Sequence, residues 1–187
     1  MTEAKSLMES GQPEQAWRLL ADNAGESSPD ALYLRAVAAL QCGQPGDAVK
    51  ALTACLKLAP SHPGAIFHLA TRSLALGDRT GALQGFTRAV QFAPGWAEAH
   101  YNLATLQAEM DDAASAEASY RQALRLKPGL AQAANNLANL LDARGERDEA
   151  IALLQSALTA NPTLAQAWGP LGSLLLASYR LDAAEHA

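Results

Sequence analysis

Residues recur along this chain at a fixed step of 34. Ala48, Ala82, Ala116, Ala150 and Ala184 stand 34 apart, and Pro60, Pro94, Pro128 and Pro162 keep the same step. Two further ladders run in register with them: Gly43, Gly77, Asp111, Gly145, Tyr179, and Ala36, Ala70, Ala104, Ala138, Gly172. A period of this size marks a repeat array, in which each unit is one supersecondary element that buries its apolar face only against its neighbours.

Composition says what the element is. The 187 residues include 42 Ala and 30 Leu but only 3 Val and 2 Ile, and Ala and Leu lose least on entering a helix whereas strands are filled by β-branched and aromatic side chains. Within one period the pattern predicts helices over 97–109 and 114–126, separated by a break at Asp111-Asp112. Glycine occupies the break in three of the five copies, where a helix ends and turns, and proline closes each complete period because it cannot continue the second helix. Each period is therefore a helical hairpin.

Two antiparallel helices approach closely only where side chains are small, which assigns Ala104 on the first helix and Ala116 and Ala123 on the second to the contact. Tyr120 fills the space beside them, as Phe86, Leu52 and Leu154 do in other periods. Replacing Ala116 by leucine should overpack this contact and lower stability by about 1–3 kcal/mol in urea unfolding.

The formal charge of −5 provides no basic face for nucleic acid. The first ten residues mix charges of both signs with no apolar segment, so they do not form a secretory signal. The apolar run Leu174-Leu175-Leu176-Ala177 is far short of the roughly 20 residues that span a bilayer. Cys42 and Cys55 form no disulfide framework and point to a reducing compartment. These features predict a cytoplasmic protein without membrane or nucleic-acid partners. Catalysis has no local support. His62, His68, His100 and His186 include no His-x₃-His pair, there is no Cys-x₂-Cys, and glycine-rich phosphate loops are absent, so no metal, cofactor or catalytic residue is expected. His100 falls with Ile66 and Trp168 on the ladder that faces the core. Trp17 and Trp96 are expected to pack.

These residues resemble the tetratricopeptide repeat, whose signature runs W-x₂-L-G-x₂-Y, then A-x₃-F, then P. Trp168-Gly169-Pro170-Leu171-Gly172 matches its opening, and Ala82-Leu83-Gln84-Gly85-Phe86 and Ala116-Glu117-Ala118-Ser119-Tyr120 match its middle. On this resemblance full copies run 29–62, 63–96, 97–130 and 131–164. Residues 1–28 form a degenerate leading copy or cap, closed by the turn-rich Gly25-Glu26-Ser27-Ser28-Pro29. Residues 165–187 form a partial copy that stops within its second helix, as in a truncated chain. The resemblance implies an all-α, right-handed superhelical solenoid of antiparallel hairpins, with the first helix of each pair lining a concave groove.

The groove-facing candidates are Tyr33, Phe67, His68, Thr71, Tyr101, Asn102, Thr105, Gln132, Asn135, Asn136 and Asn139. They are aromatic and aliphatic towards the N-terminus, where Tyr33, Phe67 and Tyr101 are at least as well suited to packing against the next hairpin, and amide-rich towards the C-terminus. Asn102 and Asn136 are 34 apart, an arrangement similar to the asparagine ladder of the O-GlcNAc transferase and kinesin light chain repeats, and each carboxamide can both donate to and accept from an extended peptide backbone. Asp30, Glu98, Glu109 and Asp142 share the groove with no Lys or Arg, which disfavours an acidic C-terminal tail and favours a neutral or basic segment. The expected function is a non-catalytic scaffold that binds an extended peptide. The alternatives are an N-terminal recognition module of a larger bacterial glycosyltransferase, sulfotransferase or hydroxylase, and self-association through the uncapped C-terminal end.

Overall fold

A computed structural model describes residues 2–22, 28–162 and 164–185 of the chain. Gly25, Glu26, Ser27 and His186, singled out above, lie outside the described residues. Among those described there are eleven helices and no strand: α1 Thr2–Glu9, α2 Pro13–Asp22, α3 Pro29–Gln41, α4 Pro45–Leu58, α5 Pro63–Ala75, α6 Arg79–Phe92, α7 Ala97–Glu109, α8 Ala113–Leu126, α9 Ala131–Ala143, α10 Arg147–Ala160 and α11 Ala165–Glu185. They divide between two compact units, Met1–Pro94 with α1–α6 and Gly95–Ala187 with α7–α11. Both units are built from helical hairpins, the all-α helical-repeat architecture that the periodicity predicts.

The turns explain the glycine ladder. Gly11, Gly43, Gly77 and Gly145 all have positive φ, between 68° and 82°, and Asp111 takes the same left-handed conformation at 61°. In each of these turns the next residue's N–H reaches back five positions, as from Gln44 to the Ala39 carbonyl at 2.8 Å and from Asp112 to Gln107 at 3.0 Å. That bond satisfies a carbonyl the helix end would leave bare, and it requires a residue that tolerates the left-handed region, glycine best and aspartate next. Several of the helices start with proline at their first position or with a capping side chain. Asp78 accepts from the Gly81 N–H at 2.8 Å, Ser28 from Ala31 at 3.2 Å, and the His62 ring Nδ1 from Ala65 at 3.1 Å.

Tyr179 ends this ladder differently. The repeat pattern places a turn there, but tyrosine enters the left-handed region only at a steric cost that glycine does not carry. Helix α11 runs through the position unbroken from Ala165 to Glu185, so the last copy does not fold into the hairpin expected of it.

The small residues sit at the helix contacts. Ala36, Ala48, Ala70, Ala82, Ala104, Ala116, Ala123, Ala138 and Ala150 are all buried, as are Leu52, Phe86, Tyr120 and Leu154. In unit 1 a Cβ at Gly85 would lie 2.5 Å from the Ala70 Cβ, so α5 and α6 meet at a separation only glycine permits. Cys55 belongs to the buried core and Cys42 is half-buried, both as free thiols. Burial pushes the Cys55 thiol up, with a smaller contribution from Asp30, which keeps it protonated and unreactive. Trp168 departs from its expected place on the core-facing ladder. It is exposed although its counterparts Ile66 and Ala134 are buried, because among the described residues no second helix of its own hairpin covers α11.

Candidate interaction faces of the first helices

The predicted groove residues fall in two sets, Tyr33, Phe67, His68 and Thr71 in unit 1 and the other seven in unit 2. In unit 1 the aromatic side chains pack on one another. The Tyr33 ring lies 4.6 Å from His62 and 5.8 Å from His68, and Phe67 lies 5.7 Å from His68 and 5.4 Å from Phe86. Tyr33 also covers Gly64 so closely that a Cβ there would come within 2.6 Å of its ring. The contacts of Tyr33 with His62, His68 and Gly64 join α3 to α5. Thr71 is exposed and donates to the Phe67 carbonyl at 3.0 Å, back along its own helix.

Burial lowers the His68 pKa from its ordinary 6.5, because the charged ring loses hydration among these aromatics. Between the ordinary value and the lowered one, the unfolded chain carries a proton that the folded one does not. Stability is therefore present above pH 6.5 and falls as pH drops through that window. Acidification from about pH 7 to about pH 5 should lower the urea midpoint of the wild type more than that of His68→Gln, and an equal loss in both would show that His68 is not the titrating group.

Unit 2 carries the polar face. An open pocket of about 430 Å³ is lined by Thr105 and Glu109 of α7, Tyr120 of α8, and Asn136 and Asn139 of α9, with apolar neighbours. A directional chain of hydrogen bonds crosses its floor. Asn136 Nδ2 donates to the Tyr120 hydroxyl at 3.1 Å, Tyr120 donates to Thr105 Oγ1 at 3.2 Å, and Thr105 donates to the Tyr101 carbonyl at 3.0 Å. A hydroxyl has one proton to give. With Thr105 donating to the backbone and Tyr120 donating to Thr105, the tyrosine oxygen can only accept from Asn136. The amide must therefore turn its NH₂ inward, which leaves its Oδ1 and second N–H for a ligand. Burial raises the Tyr120 pKa, partly offset by the bonds to Thr105 and Asn136, so the phenol stays a neutral donor.

Asn102 reaches the same outcome by another route. Its Nδ2 donates to the Glu98 carbonyl at 2.8 Å on its own helix, again using one N–H inside the chain. Asn135 is engaged elsewhere: its Nδ2 donates to the Gln166 carbonyl at 2.9 Å and ties α9 to α11, while its Oδ1 is buried without a partner. Gln132 is exposed and lines a separate pocket of about 560 Å³ with Glu98, Lys127 and Gln166. Tyr101 is half-buried, 6.2 Å from the Tyr120 ring.

The acidic character of this face is reduced by side chains from outside the first helices. Lys127, following α8, bonds Glu98 at 2.8 Å and holds its carboxyl below the usual range. Arg147 of α10 bonds Asp142 at 2.8 Å. From the sequence alone Tyr120 is a packing residue. The signal available was the change from Phe86 to tyrosine at the equivalent position, with threonine kept at both Thr71 and Thr105. Among the described residues no group of three or more His, Cys, Asp or Glu could hold a metal, and no helix is long and apolar enough to cross a membrane.

Family models for the tetratricopeptide repeat match residues 29–72, 101–165 and 135–187, together more than half of the chain. No curated protein matches it in sequence. Among solved structures it is similar to PilF of Pseudomonas aeruginosa, with 19% identity, a TM-score of 0.76, and coverage of 96% of this chain and 89% of that one. It is similar to TTC0263, a thermophilic TPR protein of Thermus thermophilus, at 26% identity and TM-score 0.67, covering 94% and 96%. It also resembles YrrB, described as a TPR protein with an unusual peptide-binding site, at 19% identity and TM-score 0.66, covering 88% and 86%. With the 34-residue ladders, the helical hairpins and the family matches all agreeing, this chain belongs to the tetratricopeptide repeat family.

Proposed function

We propose that the chain is a protein–protein interaction scaffold, itself non-catalytic, that binds an extended polypeptide segment on the first-helix face of unit 2. The observation that carries this reading is the orientation of Asn136, whose inward N–H is held by Tyr120 and whose carbonyl oxygen and second N–H stay available beside an open pocket. An extended backbone offers alternating donors and acceptors that match such an amide. Asn102 has the same spare capacity on α7. The reported peptide-binding site of YrrB, a structure of similar fold, supports a peptide as the ligand class.

A neutral or basic segment fits best, because the pocket lining includes Glu109 and no Lys or Arg. The free thiols of Cys42 and Cys55 suit a reducing compartment such as the cytoplasm.

The test is an extended-peptide library screened against the whole chain, followed by Asn102→Ala and Asn136→Ala together. Each lost hydrogen bond is worth about 1 kcal/mol, so affinity for selected peptides should fall by about tenfold or more. Unchanged affinity in the double variant would remove the amides from the binding face.

A further inference from the structure

We propose that α11 is a self-association surface, on which the stripe Trp168, Leu175, Leu176 and Tyr179 packs antiparallel against the same stripe of a second copy of this chain. These residues lie at i, i+7, i+8 and i+11 and so share one helix face, with Gly172 at i+4 between them. They remain 56%, 45%, 52% and 72% exposed. The positions 34 residues earlier identify the face. Ala134, Ala138 and Leu141 on α9 are buried, Asp142, the counterpart of Leu176, is half-buried and bonded to Arg147 of α10, and α10, the second helix of that hairpin, packs on α9. On α11 the corresponding surface is bare because the helix continues through Tyr179 where its counterpart Gly145 turns at a φ of 82°. Helices α9 and α10 cover the other side of α11.

A second copy suits this surface for three reasons. From Ala165 to Tyr179 the helix has no charged residue, so two copies meet without like-charge repulsion. The stripe is large at both ends and small in its middle, where a Cβ on Gly172 would meet nothing within 4 Å. Under a twofold axis the bulky side chains of one copy face the glycine gap of the other, a self-complementary contact. The exposed fractions amount to about 500 Å² per copy, hence about 1,000 Å² for the pair, the lower limit of a specific interface. The dimer is therefore weak and reversible. This surface is separate from the amide-lined pocket, and its failure would leave the peptide-binding reading untouched.

Sedimentation equilibrium of the whole chain from about 5 to about 500 µM should show a monomer–dimer equilibrium. Leu176→Glu and Tyr179→Glu should each weaken dimerisation at least about tenfold, while Leu58→Glu, at an exposed leucine on α4, should leave it unchanged. Because the substituted side chains are exposed, circular dichroism should match the wild type; if either glutamate variant unfolds, Tyr179→Ser replaces it in the same comparison. A chain monomeric throughout this range overturns the proposal and leaves the stripe to a different occupant. Dimers insensitive to these substitutions overturn it as well.

Discussion

Phe86→Ala should destabilise unit 1 by about 3–5 kcal/mol, among the largest losses a single core truncation produces. Phe86 is 0% exposed and its ring packs, tilted, at 5.4 Å from that of Phe67. The adjacent Gly85 has brought α6 against Ala70 on α5, so the helices are already at their closest approach and cannot collapse further to fill the cavity. A cavity that cannot close adds its own cost to the lost transfer free energy. Urea unfolding followed by circular dichroism should show a lower midpoint, with Phe86→Leu giving a distinctly smaller loss because much of the volume remains. A loss under about 1 kcal/mol would mean that α5 and α6 repack, contrary to the contact at Gly85.

The equivalent residue in unit 2 separates packing from hydrogen bonding. Tyr120→Ala should cost a similar amount, about 3–5 kcal/mol, since the ring of Tyr120 is 2% exposed. Tyr120→Phe keeps the ring but removes the oxygen that accepts from Asn136 and donates to Thr105. It should cost about 1 kcal/mol, the net value of a hydrogen bond together with part of the cost of a stranded partner. The sharper measurement is a double-mutant cycle. Once Tyr120 is phenylalanine, Asn136→Ala should change stability almost not at all, whereas on the wild-type background it removes the same bond. Additive effects would show that Asn136 is held by something other than the tyrosine hydroxyl.

Much of this architecture was legible residue by residue. Gly43, Gly77 and Gly145 announce left-handed turns because almost no other residue takes that conformation without strain. The alanines at 36, 70, 104 and 138 announce close helix contacts because any larger side chain would hold the helices apart. Helix starts at Pro29, Pro45 and Pro63 follow from a residue that lacks the N–H a helix interior requires. All of these are local constraints, carried by one side chain acting on its own backbone or on the adjoining helix of the same hairpin.

The candidate site was less legible for the opposite reason. Asn102 and Asn136 are identical in type and equivalent in position, yet one bonds its own helix and the other bonds Tyr120, 16 residues away. The order of residues leaves Tyr33 between a groove and a packing role, and Gly64, on the neighbouring hairpin, draws its ring inward. Lys127 and Arg147 are invisible to a helical projection of the first helices because they reach in from outside them. Local propensity and turn chemistry thus settle the hairpin, its length and its spacing from the order of residues alone, since those depend on neighbours within a few positions. How each side chain is partnered, and so which amides are left for a ligand and which apolar face stays bare, depends on atoms that only packing between helices brings within hydrogen-bond or van der Waals reach.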